Sequence, residues 1–122
     1  MSGMRLLLIE DYRPVRESLA KGLREAGYAV DATGDGEEGL WYARGNDYDV
    51  MILDLMLPGV DGWELLGRLR EHPQTRDIPV VICTILPQER LALALGAAAL
   101  LQKPFTRDAL LSMLAGLTRS QD

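Results

Sequence analysis

Five short apolar runs recur at near-even spacing along the chain, and each is followed by polar or turn-forming residues. The runs are Arg5–Ile9, Tyr28–Thr33, Tyr48–Leu53, Ile78–Thr84 and Ala98–Gln102. The first run, apolar on both alternations, predicts a strand buried on both faces, whereas Tyr28–Thr33 predicts a weaker one. Strands buried on both faces are typical of parallel sheets, whose crossover helices cover both sides.

The segments between the runs have helical spacing. Pro14 suits the first turn of a helix, where its missing N–H costs nothing. Val15, Leu19 and Leu23 then recur every four residues until Gly27. Asp35 is placed to cap a helix through about Arg44, and Asp61 one that carries Leu65, Leu66 and Leu69 to the His72-Pro73 break. Pro87 opens a short helix over Gln88–Leu95 that Gly96 ends, and a last helix runs from about Thr106 to Leu117. Five strands alternating with five helices predict an α/β fold with a parallel sheet and right-handed crossovers. The second strand, with Ala29 and Asp31, reads as an edge.

Composition narrows the function classes. The chain has 122 residues and fits one domain, read as residues 4–117 with tails at 1–3 and 118–122. A formal net charge of −5 argues against direct nucleic-acid binding. No apolar run approaches the length of a membrane span. The one cysteine, Cys83, lies inside a strand run and makes the cytoplasm the default location. The charge is skewed: residues 1–64 hold 13 acids and 6 bases, whereas residues 65–122 hold 5 acids and 7 bases.

In open α/β sheets, ligands bind beyond the carboxyl ends of the strands. Glu10 and Asp11 follow the first strand, Asp54 the third and Lys103 the fifth, while Thr84 ends the fourth. Three carboxylates, a hydroxyl and an ammonium thus converge on one rim. Close carboxylates repel unless a cation intervenes, and hard oxygen ligands suit Mg²⁺. A carboxylate can also act as a nucleophile toward phosphorus.

With these residues in place, the chain resembles the receiver domain of two-component response regulators, chemotaxis regulators included, over residues 4 to about 117. The resemblance rests on Glu10-Asp11, on the stretch from Asp54 to Gly62 with its Pro58-Gly59 and Asp61-Gly62 turns, on Thr84, and on Lys103-Pro104-Phe105 after Gly96-Ala97. It implies a flavodoxin-like sheet in strand order 2-1-3-4-5. It also implies that Asp54 accepts a phosphoryl group from a histidine kinase or phosphotransfer protein, in a phosphorelay, and that the domain dephosphorylates itself slowly. Mg²⁺ is then held by Asp11, Asp54 and the backbone carbonyl of Met56, with Glu10 acting through water. Lys103 pairs with the phosphoryl group and precedes a cis bond to Pro104. Thr84 bonds a phosphoryl oxygen and shifts on modification. Such a domain is a signalling switch rather than an enzyme with turnover, and it meets an effector or a second copy through helix 4, strand 5 and helix 5. Residues up to about 70 resemble receivers of winged-helix transcription factors, and those beyond resemble receivers attached to hybrid kinases.

Three features depart from the family pattern. Leu100 stands where an aromatic residue or His is usual, and Ile85 where a small residue is usual. The spacing from Thr84 to Lys103 is short by about one helical turn. These departures point to intact phosphorylation chemistry with an atypical output surface. Leu91, Leu93 and Leu95 read mainly as core, with Leu91 and Leu95 on one face, and Trp41 and Trp63 read as packing residues.

Two other functions compete. A scaffold that binds partners without phosphorylation is compatible with Ile85 and Leu100. A haloacid-dehalogenase-type phosphatase needs a second Asp two positions after the nucleophile, where this chain has Met56. There is no Gly-x-x-x-x-Gly-Lys-Ser/Thr loop, and no Gly-x-Gly-x-x-Gly follows the first strand.

Overall fold

The computed structural model describes residues 4–57 and 60–119. Strands β1 (Arg5–Ile9), β2 (Ala29–Thr33), β3 (Val50–Asp54), β4 (Val80–Thr84) and β5 (Ala99–Gln102) form one parallel sheet in the order β2-β1-β3-β4-β5. Helices α1 (Arg13–Glu25), α2 (Gly36–Gly45), α3 (Gly62–Glu71), α4 (Glu89–Ala94) and α5 (Arg107–Arg119) alternate with them. A short antiparallel ladder, Met56–Leu57 against Val60–Asp61, precedes α3. The expected edge strand is β2, which pairs with β1 alone among the described residues.

Alternation along each strand builds two cores. Leu7, Ile9, Met51, Leu53, Val80, Ile82 and Leu100 pack with Leu40 of α2, Leu65, Leu66 and Leu69 of α3, and Ala92 of α4. Leu6, Leu8, Val30, Val50, Ile52, Val81 and Cys83 pack with Ala20 and Leu23 of α1 and with Leu110 and Leu114 of α5. Each fully buried Leu contributes roughly 1.5–3 kcal/mol by leaving water. Lateral ties between helices are polar: Arg68 of α3 forks onto Glu37 of α2 at 2.7 and 3.3 Å.

The helix ends follow the capping residues. Asp35 accepts from the Glu37 N–H, Asp61 from that of Trp63, and Thr106 from that of Ala109. Gly27 (φ 103°) and Gly96 (φ 99°) end α1 and α4 in the left-handed conformation, and the following N–H groups reach back to the carbonyls of Leu23 and Ala92.

Several expectations need correction. Asp54 is the last residue of β3 rather than the first beyond it, and β3 starts at Val50, not Tyr48. Thr118 and Arg119 continue α5 instead of forming a tail; residues 1–3 and 120–122, and the Pro58-Gly59 turn, lie outside the described residues. Trp41 is exposed, whereas Trp63 packs on the first core. On α4, Ala92 faces the sheet while Leu91, Leu93 and Leu95 are all exposed. A six-residue helix lying on β5 presents one small side chain inward and turns its bulky ones out.

Candidate functional site

The sheet delivers the acids as its register dictates. Ile9 pairs with Leu53 across β1 and β3, so Glu10 and Asp54 are neighbours one step further on. Asp54 pairs with Cys83 on β4, and Thr84 with Gln102 on β5, which brings Lys103 to the same rim. The Lys103 N–H donates to the Thr84 carbonyl at 2.7 Å, and the Leu55 N–H to that of Cys83 at 3.1 Å. The peptide bond between Lys103 and Pro104 is cis.

Glu10 and Asp54 are buried and Asp11 is exposed. One carboxylate oxygen from each of the three lies within 4.8 Å of the others. Lys103 Nζ sits 3.1 Å from Glu10 Oε1 and 3.5 Å from Asp54 Oδ2. Burial, reinforced by Asp54, pushes the Glu10 carboxyl up to about 7, against the opposing pull of Lys103. Burial works against the Lys103 ammonium, but Glu10 and Asp54 together raise its pKa above the ordinary lysine value. The site therefore holds more negative charge than one lysine balances. Hard oxygen donors at this spacing and with this surplus fit a divalent cation.

Thr84 is buried, and its hydroxyl accepts from the Leu86 N–H at 3.1 Å. Gln102 Nε2 donates to the Ile85 carbonyl at 3.2 Å, a second tie on the same loop. Ile85 is 60% exposed and stands at the mouth of the acidic cleft with Tyr12. Its other side lines an apolar cavity with Val15, Leu19, Pro104 and Phe105. Leu100 lies away from this rim, buried opposite Ile82. Burial raises the Cys83 thiol to about 12, so it stays protonated and inert at neutral pH.

The structure thus gathers Glu10, Asp11, Asp54, Thr84, Ile85 and Lys103 in one place. The Met56 backbone stands in the short ladder two residues after Asp54. Sequence reasoning passed over the groups that hold the acid pair. The Tyr12 N–H donates to Glu10 Oε2, and Arg16 donates to the carbonyls of Glu10 and Asp11. The available signal was a basic residue in the first turn of α1, the end of a helix where bases are disfavoured.

This combination defines a class: a doubly wound parallel sheet with three carboxylates closed by a lysine at its carboxyl rim. A family model for the response regulator receiver domain matches residues 6–115, and the chain belongs to that family. Transcriptional regulatory protein HprR of Escherichia coli (strain K12) is 41% identical over 116 residues, which is 95% of this chain and 52% of that protein. The chain spans about half the length of the curated relatives it matches. Among solved structures, the receiver domain of the Francisella response regulator 1452 superposes with a TM-score of 0.91 at 28% identity, covering 98% of this chain and 100% of that one. The receiver domain of the sensor histidine kinase PA1611 from Pseudomonas aeruginosa PAO1, with a magnesium ion coordinated in its active site cleft, gives a TM-score of 0.87 at 29% identity, covering 96% and 98%. The protein is a receiver domain of the two-component type. No helix among the described residues is long and apolar enough to cross a membrane.

Proposed function

We propose that Asp54 accepts a phosphoryl group from a phosphohistidine on a histidine kinase or phosphotransfer protein, and that the domain then changes its surface for a partner. The observation that carries this reading is the meeting of Glu10, Asp11 and Asp54 with Lys103 at one rim. An Asp54 oxygen attacks phosphorus as the P–N bond of the donor breaks. The electron pair of that bond stays on the donor imidazole, which takes up a proton, and an acyl phosphate remains on Asp54.

Asp11, Asp54 and the Met56 carbonyl are the Mg²⁺ ligands in this reading, with Glu10 acting through water. The cation supplies charge neutralisation for the phosphoryl oxygens. Its presence in the cleft of the PA1611 receiver supports this assignment. Lys103 exchanges its contact with Asp54 for one with the phosphoryl group, and the Thr84 hydroxyl leaves the Leu86 N–H to donate to a phosphoryl oxygen. Ile85 and Leu100 are the altered positions of the switch. The surface of α4, β5 and α5 faces the effector or a second copy, and the relatives' role as transcriptional regulators suits an output of that kind. We place the domain in the cytoplasm, in keeping with its lone buried thiol. A complete acid set gives the scaffold reading no support.

Intact-mass measurement after incubation with acetyl phosphate and Mg²⁺ tests the proposal. A single phosphoryl adduct is expected, absent without the metal and absent in Asp54→Asn. No adduct in the wild type, or an undiminished adduct in Asp54→Asn, overturns it.

A further inference from the structure

Helix α1 opens with bases. Its first turn holds no acidic residue, although the positive end of a helix dipole favours acids there. Arg13 is answered by Glu17 one turn later, at 2.7 Å. Arg16 turns the other way, back over the loop between β1 and α1. Its Nη1 donates to the Glu10 carbonyl at 2.9 Å and to the Asp11 carbonyl at 3.2 Å. One guanidinium nitrogen, with its two hydrogens, bridges the main chain of both members of the acid pair.

The guanidinium lies in a slot left by a missing side chain. A Cβ on Gly34 would stand 2.6 Å from Arg16 Nη1 and 3.4 Å from its Cζ. Gly34 directly follows β2, whose last carbonyl, that of Thr33, accepts from the Glu10 N–H at 3.0 Å. The acid loop is therefore fixed from two sides: by the end of β2, and by Arg16 seated over Gly34. Asp11 is exposed, so packing does little to fix its carboxylate. Its aim depends on these backbone anchors.

We propose that Arg16 is a positioning residue for the cation site and that Gly34 is the space that seats it. The inference rests on the reading of Glu10, Asp11 and Asp54 as the Mg²⁺ site. Mg²⁺ demands near-ideal octahedral geometry. A rotation of the loop backbone misplaces the side chains of Glu10 and Asp11 together. Arg16 is not among the residues that line the cleft, and its bonds to the acid pair run through main-chain carbonyls.

Calorimetric titration with Mg²⁺, paired with metal-free thermal melts, tests this in the wild type, Arg16→Lys, Arg16→Ala, Gly34→Ala and the Arg16→Ala/Gly34→Ala double variant. Arg16→Lys keeps the charge and loses the planar bridge; Gly34→Ala keeps every donor and displaces the guanidinium. Each single variant is expected to weaken Mg²⁺ binding about tenfold, the lower end for groups that support metal ligands from behind. Gly34→Ala is expected to add little in the Arg16→Ala background, because the atom it displaces is gone. Unchanged Mg²⁺ affinity with only a lower metal-free melting temperature overturns the inference, as does full additivity in the double variant. A wild type that fails to bind Mg²⁺ sinks the metal reading itself, and the inference with it. Wild-type binding that Asp54→Asn weakens and the Arg16 and Gly34 variants leave intact sinks the inference alone.

Discussion

Tyr48 shows how one buried hydroxyl can set a pH dependence far from the functional rim. It donates to Asp31 at 2.6 Å, and Arg5 pairs with the same carboxylate at 3.0 Å while lying 5.2 Å over the tyrosine ring. The Tyr48 bond, with help from Arg5, holds the Asp31 carboxyl below its ordinary 3.8. A depressed carboxylate stabilises the fold above its unfolded pKa, and that contribution is lost as pH falls through the folded value. Tyr48→Phe is expected to cost about 1 kcal/mol at neutral pH, at the low end for a bond to a charged group because Asp31 is partly exposed. The cost shrinks in acid, and urea melts at neutral and acidic pH measure both. A penalty that grows on acidification contradicts this account. Leu100 poses a different test. It fills a buried place opposite Ile82, so Leu100→Tyr, which brings back the family's aromatic, is expected to lose about 1–3 kcal/mol by overpacking. Unchanged stability means that the slot has room for a ring. The rim residues were legible because chemistry restricts them: carboxylates, a hydroxyl and a lysine at strand ends have few bland explanations. The Tyr48–Asp31 bond was not legible, since nothing in the spacing of a residue on β2 and one in the loop before β3 marks them as partners.

The elements divide in the same way. Strands β1, β3 and β4 were readable as apolar runs because a strand buried on both faces needs apolar residues at every position. Helix α4 was not. Its leucines alternate with alanines, and periodicity alone assigns the larger residues to the core. The close approach of α4 to β5 reverses that assignment, with Ala92 inside and Leu91, Leu93 and Leu95 outside. Replacing the three leucines by Gln is therefore expected to leave stability within about 0.5 kcal/mol per site, as for ordinary surface changes. Ala92→Leu is expected to cost about 1–3 kcal/mol. Chemical denaturation ranks the two, and the opposite ranking contradicts the packing described for this helix. The loop ahead of α4 is held by Thr84 and Gln102 through the Leu86 N–H and the Ile85 carbonyl. In a chain with Leu100 buried, these ties stand nearer the rim than any ring at that position.

At the scale of the whole molecule, the charge skew of the sequence takes on a spatial meaning. Glu10, Asp11 and Asp54 are three of the 13 acids in the first 64 residues, and Lys103 belongs to the basic second half. Only the parallel sheet brings them together, because β1, β3 and β5 end on the same rim. The order of the strands was legible through the family resemblance rather than through the hydrophobic pattern, which fixes strand number and burial but not neighbours. The central claim is that this rim directs phosphorylation to Asp54 alone. Borohydride reduction tests it most directly, since it turns the acyl phosphate of an aspartate into the alcohol of homoserine. After treatment with acetyl phosphate and Mg²⁺, reduction and peptide sequencing by mass spectrometry, homoserine is expected at position 54 and at no other aspartate. Homoserine at Asp11, at another aspartate, or at none contradicts the account.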